Sequence, residues 1–179
     1  AAFSFTYSHV LDGWYNTGTS LEFFSPLEDQ GPSTEADAIY LPGGYPELHA
    51  ELLSNNLIFR SAMFAARDRG SAIFGECGGY MVLGEYLETG DGTIHPMLGF
   101  LPVKTSLIKR SLKIGYRKVQ TVADSLFGSK GIIFFGHEFH YATAVVENKT
   151  KPLFQVANAV GVDMGKMGLV EKRVAGSFI

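Results

Sequence analysis

The chemistry-bearing residue that stands out is Cys77, the one cysteine of the chain, in Gly75-Glu76-Cys77-Gly78-Gly79. An apolar run, Ser71 to Phe74, precedes it, and a stretch with helical character, Tyr80 to Leu87, follows. A nucleophile at such a strand-to-helix bend is lifted above the sheet edge, and glycines on both sides relieve the crowding of a tight backbone. The helix that follows turns its first amides and positive dipole end toward the sulfur, which favours thiolate, the reactive form. The amide of Gly78 is placed to receive an oxyanion. A buried structural cysteine is the competing reading; the glycine-flanked bend favours the nucleophile.

Two further loops carry polar chemistry. Pro42-Gly43-Gly44-Tyr45-Pro46-Glu47 follows a second apolar run, where a partner oxyanion loop would lie, and Gly43 or Gly44 can aim an amide at a developing charge. The plainer reading is a strand-to-helix turn. Gly136-His137-Glu138-Phe139-His140-Tyr141 offers two histidines and a glutamate. On a strand, His137 and His140 face opposite sides, and no nearby Cys or Asp completes a ligand set, so no metal site is expected. A polar contact surface or a substrate loop fits better, with His140 also a candidate base for Cys77. Arg110 and Arg117 have the fork that suits a carboxylate, with a solvated charge as the alternative for each. His9, His49 and His95 are isolated and read as structural or exposed.

These loops need elements to hold them. Leu21 to Phe24, Ala38 to Leu41 and Ser71 to Phe74 read as strands. Pro46 to about Leu53 reads as a helix, and Ser54-Asn55-Asn56 caps another that runs to Arg69 and stops at Gly70. The second half is richer in β-branched and aromatic residues: Tyr116 to Val122, Ile132 to Phe135 and Phe154 to Val156 have strand lengths, and Gly161 to Ile179 suits a glycine-punctuated hairpin. Alternation of this kind implies α/β layering in one domain over residues 1–179. The composition, 46% hydrophobic and 18% charged, is that of a soluble globular chain. A net charge of −3, without clustered Lys and Arg, gives no basis for nucleic-acid or anionic-membrane binding. One cysteine excludes an internal disulfide, no apolar run approaches ~18 residues, and no signal-peptide layout opens the chain. The expected compartment is the cytoplasm.

Taken in order, Ala2-Phe3-Ser4-Phe5, Phe24-Ser25-Pro26-Leu27, Leu41-Pro42-Gly43-Gly44-Tyr45-Pro46-Glu47-Leu48, Gly75-Glu76-Cys77-Gly78-Gly79, Gly115-Tyr116-Arg117 and Gly136-His137-Glu138-Phe139-His140-Tyr141 resemble the C-terminal glutamine amidotransferase domain of cobyrinic acid a,c-diamide synthase. The resemblance implies a three-layer, flavodoxin-like class I amidotransferase fold with a mixed, largely parallel central sheet. It implies Cys77 as nucleophile, with the amides of Gly78 and of Gly43 or Gly44 as the oxyanion hole. Tyr45, Glu76, Arg110, Arg117 and His140 become candidate substrate-binding residues. L-glutamine is the expected substrate. Its ammonia would pass to an N-terminal synthetase domain, where ATP and Mg²⁺ activate the a and c carboxylates of a corrinoid; no cofactor is expected in this domain itself. A second copy of the chain is a candidate partner.

Two departures belong with that expectation. The family's catalytic histidine follows a G-S-[FY]-x pattern, which Gly176-Ser177-Phe178-Ile179 matches at the chain's last residue, so the domain reads as an excerpt, cut at both ends, without its base. No G-x-x-x-x-G-K-[ST] phosphate loop is present. Cobyric acid, nickel-tetrapyrrole and cell-wall lipid amidation remain as alternative acceptors. A non-catalytic partner-docking domain and a cysteine peptidase or chaperone on a similar elbow remain as alternative classes.

Overall fold

The structure is a computed structural model that describes residues 2–145 and 151–179. Its framework is a seven-stranded sheet. The strands are β1 (Ala38–Leu41), β2 (Ala72–Glu76), β6 (Lys113–Thr121), β7 (Ile133–His140), β9 (Pro152–Asn158), β10 (Asp163–Glu171) and β11 (Val174–Ser177), in the order β1-β2-β11-β10-β9-β6-β7. The sheet is mixed. Its parallel pairings join β1 to β2 and β2 to β11, and every later neighbour pair is antiparallel. The parallel end therefore collects the carboxyl ends of β1, β2 and β11 on one edge, the place where ligand crevices form in α/β sheets.

Four helices accompany the sheet among the described residues: α1 (Ser8–Asn16), α2 (Ala50–Asn55), α3 (Leu57–Arg69) and α4 (Gly78–Leu83). Phe59, Met63 and Ala66 of α3 recur at 4- and 3-residue spacing and form one buried stripe. They pack with Ile39, Leu41, Ile73 and Val174 of the strands and with all of Tyr80 to Leu83 on α4. The opposite face of the sheet has its own core of Val119, Phe154, Val156 and Ala175, with Phe74 and Phe127 against it. On that side Tyr40 stacks near Phe74 and meets the edge of Trp14 from α1. Helices thus lie on both faces, giving three layers.

A second sheet of four short strands completes the fold: β3 (Tyr86–Glu88), β4 (Ile94–Pro96), β5 (Lys104–Ser106) and β8 (Thr143–Val145), ordered β4-β3-β5-β8. Two sequence expectations change here. The helix after Cys77 ends at Leu83, not Leu87, because Gly84 turns extended (ψ −178°) and Tyr86 already pairs with Lys104 and Pro96. Leu21 to Phe24 is irregular chain, not a strand. Phe24 finds its burial by stacking on Phe59 at 6.4 Å while Phe23 stays exposed, so the apolar run reports packing and not pairing. Pro46 to Leu53 is a 3-10 turn, Pro46–His49, leading into α2. Gly70 does end α3 in the left-handed conformation, with φ 89°, and β10 and β11 form the hairpin expected over 161–179.

Candidate active site

β2 carries the chain to Cys77, which sits at the N-cap of α4 with φ 50° and ψ −103°. A non-glycine residue there stores strain of about 1–3 kcal/mol, and the surroundings fix it from several sides. The Cys77 amide donates to the Ser177 carbonyl at 2.8 Å, and the Gly79 amide donates to the Pro42 carbonyl at 3.1 Å. The glycines are sterically required: a Cβ on Gly79 would stand 2.0 Å from the Leu41 carbonyl oxygen, and one on Gly75 2.6 Å from the backbone of Gly79. Helix α4 can therefore rise from the sheet only with hydrogen at those positions.

The Pro42-to-Glu47 loop comes up beside the elbow. The Gly78 and Gly44 amides stand close enough to the Cys77 sulfur to favour its thiolate. Of the two glycines the sequence offered as partner donor, Gly44 is the one whose amide favours the thiolate; a Cβ on Gly43 would stand 3.4 Å from the Cys77 Cβ, and the Gly43 carbonyl accepts the Phe5 amide at 3.0 Å. The pair of amides is an oxyanion hole in form: donors pre-aimed at where charge would develop if the sulfur added to a carbonyl carbon.

The thiol itself departs from expectation. Burial pushes it up to about 11, with the carboxylates of Glu76 and Glu47 adding to the rise; the Gly78 and Gly44 amides pull the other way and lose. A six-residue helix supplies too little field to hold a thiolate against desolvation. Among the described residues, the side-chain hydrogen bond of the sulfur runs to the carbonyl of Phe139 at 3.7 Å.

A small cleft opens over the sulfur. Tyr45, Glu47, Met81, Phe139 and His140 share its walls with Cys77. Tyr45 is held there by an edge-on contact with Phe5 at 5.1 Å. His140 enters the cleft wall but does not face the sulfur as a base would. Its Nε2 meets Glu138 Oε1 at 2.7 Å, its Nδ1 meets the Ala142 carbonyl at 2.9 Å, and its ring stacks on Phe178 at 3.9 Å. Both ring nitrogens are thus occupied, against the expectation that His140 activates Cys77 in this arrangement.

Arg117 is likewise committed. Its Nε and a terminal nitrogen each reach Glu138 Oε2 at 2.8 Å, and its remaining donors bond the Tyr116 and Ile114 carbonyls. It braces β6 against β7 and has no fork left for a substrate carboxylate, which corrects its reading as a binding residue. Burial opposes the charge on Glu138, but the hydrogen bonds from His140 and Arg117 outweigh it and hold the carboxyl below its ordinary range. Glu76 accepts from the Tyr40 hydroxyl at 2.5 Å, and burial together with that bond keeps Tyr40 well above the usual phenol range, so it stays a donor. Arg110 stands away from the cleft wall, close enough to Glu47 to lower its carboxyl electrostatically, though burial wins and Glu47 ends up raised. Glu47 is the residue sequence reasoning passed over. Its signal was present as the last member of the Gly43-Gly44-Tyr45-Pro46-Glu47 run. His137 points to the other side of β7, where the Tyr7 hydroxyl bonds its Nε2 at 3.0 Å, so the two histidines do not converge on one ion.

A lone thiol on a strained strand-to-helix bend, two backbone amides trained on its sulfur, and helices on both faces of a sheet with a parallel edge define a glutamine amidotransferase-like α/β domain. Solved structures agree at the level of fold: a glutamine amidotransferase matches with TM-score 0.59 over 93% of this chain and 80% of its own at 16% identity. A second, from Thermotoga maritima, matches with TM-score 0.60 over 94% and 67%, also at 16% identity. The family model of the CobB/CobQ-like glutamine amidotransferase domain matches residues 5–179, and the chain belongs to that family. Among curated relatives, hydrogenobyrinate a,c-diamide synthase of Rhizobium meliloti is 53% identical over 99% of this chain and 41% of its own length. The proteins of that name from Brucella anthropi and Rhodobacter capsulatus are 48% and 43% identical, again over 99% of this chain and 40% of theirs. The chain thus spans about two fifths of the relatives it matches.

Proposed function

We propose that residues 1–179 are the glutamine-hydrolysing part of a hydrogenobyrinate a,c-diamide synthase, with Cys77 as nucleophile. The observation that carries this reading is Cys77 on a strained strand-to-helix bend, with the Gly43-Gly44 loop packed beside it and a cleft over its side chain. The sulfur adds to the side-chain amide carbon of L-glutamine, and the carbonyl oxygen becomes an oxyanion held by those amides. The carbon–nitrogen bond breaks, and the nitrogen takes a proton and leaves as ammonia. Water then cleaves the glutamyl thioester, returning the thiol and releasing glutamate. Tyr45, Glu47 and Met81 line the cleft that receives the side chain. The Glu47 carboxylate is placed to receive the α-ammonium group.

The first proton transfer needs a base, since a thiol pushed up to about 11 is protonated at neutral pH. The end of β11 supports a location for one. Ser177 bonds the Cys77 amide, Phe178 lies on His140, and the Ile179 amide bonds the Ser177 hydroxyl. Phe178 and Ile179 follow directly on the strand end that holds the elbow, and we propose a histidine base just beyond them. The relatives' names favour hydrogenobyrinate as the acceptor over the cobyrinic acid suggested by the sequence motifs. Amidation belongs to a synthetase part outside this chain. ATP and Mg²⁺ belong there too, because residues 1–179 hold no phosphate loop. The cytoplasm, where glutamine and ATP are both available, is the proposed setting; among the described residues no helix is long and apolar enough to cross a membrane.

The test is covalent labelling. A diazoketone analogue of glutamine should modify Cys77 alone, at a rate that saturates with reagent and falls when glutamine is added. Labelling that ignores glutamine would sink the assignment, as would hydrolysis that survives Cys77→Ala.

A further inference from the structure

Strands β6 and β7 bury one face and expose the other, and the exposed face carries large apolar side chains among its polar ones. Register places Ile114 opposite Phe139, Tyr116 opposite His137, and Lys118 opposite Phe135. Tyr116 is 76% and Phe135 81% exposed, Ile114 is 61%, and Ile133 and Phe139 are also open. Ile114, Tyr116, Ile133, Phe135 and Phe139 thus share one face of two neighbouring strands with Lys118, Gln120 and His137, and together make an apolar-rich strip. Strip and strand also sit at the sheet's margin, since β7 has no partner beyond β6 in this sheet. Exposed apolar strips on an edge pair are sites that proteins cover.

Resting on the proposed function, we infer that this strip is the surface on which the synthetase part of the same polypeptide docks. Three observations favour that occupant. About three fifths of each relative's length lies outside the region this chain matches, so a large covalently linked partner is available. The N-terminal lead runs along the strip's border: Phe5 bridges to Gly43, and Tyr7 bonds His137 on the same outward face of β7. A domain preceding residue 1 is therefore delivered next to it. The strip also reaches the chemistry. Phe139 belongs to the outward row, yet its carbonyl takes the Cys77 sulfur and its ring lines the cleft. A domain seated on Tyr116 and Phe135 would close over the end of the cleft through which ammonia must leave without meeting water.

The experiment uses the full-length polypeptide that carries residues 1–179, comparing the parent with Tyr116→Ser/Phe135→Ser. Both side chains are solvent-exposed here, so the domain itself should fold. Docking predicts that glutamine hydrolysis and ammonia-driven amidation persist while glutamine-driven amidation falls at least about tenfold, with glutamate released in excess of amide formed. An unchanged ratio of glutamate to amide overturns the inference. A second measurement needs no variant: hydrogen exchange of the 113–120 and 133–140 amides should slow in the full-length polypeptide relative to residues 1–179 alone, and equal exchange in both also overturns it. Sedimentation of residues 1–179 alone gives the remaining outcome, because a dimer that the double substitution dissolves would assign the strip to a second copy instead. Failure here is separable from failure of the glutaminase reading, which falls instead if Cys77→Ala retains glutamine hydrolysis or if labelling of Cys77 ignores glutamine.

Discussion

At the scale of single residues, the balance at Cys77 decides the behaviour of the domain. Two amides favour the thiolate, while burial and two carboxylates disfavour it, and the second group wins with a thiol near 11. At pH 8 about one sulfur in a thousand is then ionised, and the rate of alkylation by iodoacetamide should climb about tenfold per pH unit from 7 to 10 without a plateau. A plateau near neutral pH would show that a nearby cation already holds the thiolate. Glu47 gives a sharper test because its two roles have opposite signs. Glu47→Gln removes a negative neighbour that raises the thiol, so uncharged iodoacetamide should react faster. It also removes the partner proposed for the substrate's ammonium, so KM for glutamine should rise by about 10-fold or more. The cysteine was legible from its glycine-flanked motif because backbone crowding leaves a sequence trace. Glu47 was not, since nothing local distinguishes a carboxylate that starts a helix turn from one that enters a cleft.

At the scale of elements, the β6–β7 pair is fastened by Arg117, Glu138 and His140, which are nearly out of contact with water. Arg117→Met leaves Glu138 buried with one charged partner fewer and should cost about 3–5 kcal/mol of stability, read as a drop in the urea midpoint. Because the folded carboxyl lies below its ordinary value, its contribution is fully present above the unfolded value near 4.5 and fades as pH falls through the lower folded value. The parent should therefore lose stability on acidification below about pH 4.5, and Glu138→Gln should flatten that part of the profile. Elements with strong local rules were legible: β1, β2, α3 with its left-handed Gly70, and the final hairpin. Helix α1 was not, although Val10, Leu11, Trp14 and Tyr15 recur at helical spacing, because the helix is nine residues long, has Gly13 in its interior and buries no residue. The three-residue strands of the second sheet were not legible either, since a period of two cannot be read from three residues and their pairing is set by tertiary context. Arg117 looked available for a ligand because its bond to Glu138, 21 residues away, exists only once the strands pair.

At the scale of the whole molecule, the last strand is the keystone of the topology. β11 lies between the parallel β1–β2 pair and the antiparallel remainder, and its register, Gly176 on Gly75 and Ser177 on Glu76, brings its end to the elbow. That placement makes the proposed origin of the base a geometric matter. The proposed base follows a strand end whose Ser177 carbonyl holds the Cys77 amide, whereas every imidazole nitrogen of His140 is already bonded. Residues 1–179 alone should therefore hydrolyse glutamine at only a small residual rate, contributed by the amide pair and by binding. A polypeptide extended past Ile179 by its native residues should be faster by about 10²–10⁴-fold, the usual contribution of a positioned general base, and its iodoacetamide profile should shift to lower pH by the same cause. Replacing the first histidine of that extension by Asn should return both the rate and the profile to those of residues 1–179. If the short chain already turns over at the extended chain's rate, and His140→Asn abolishes that rate, the base lies on β7 and its ring must swing away from Glu138 during the reaction.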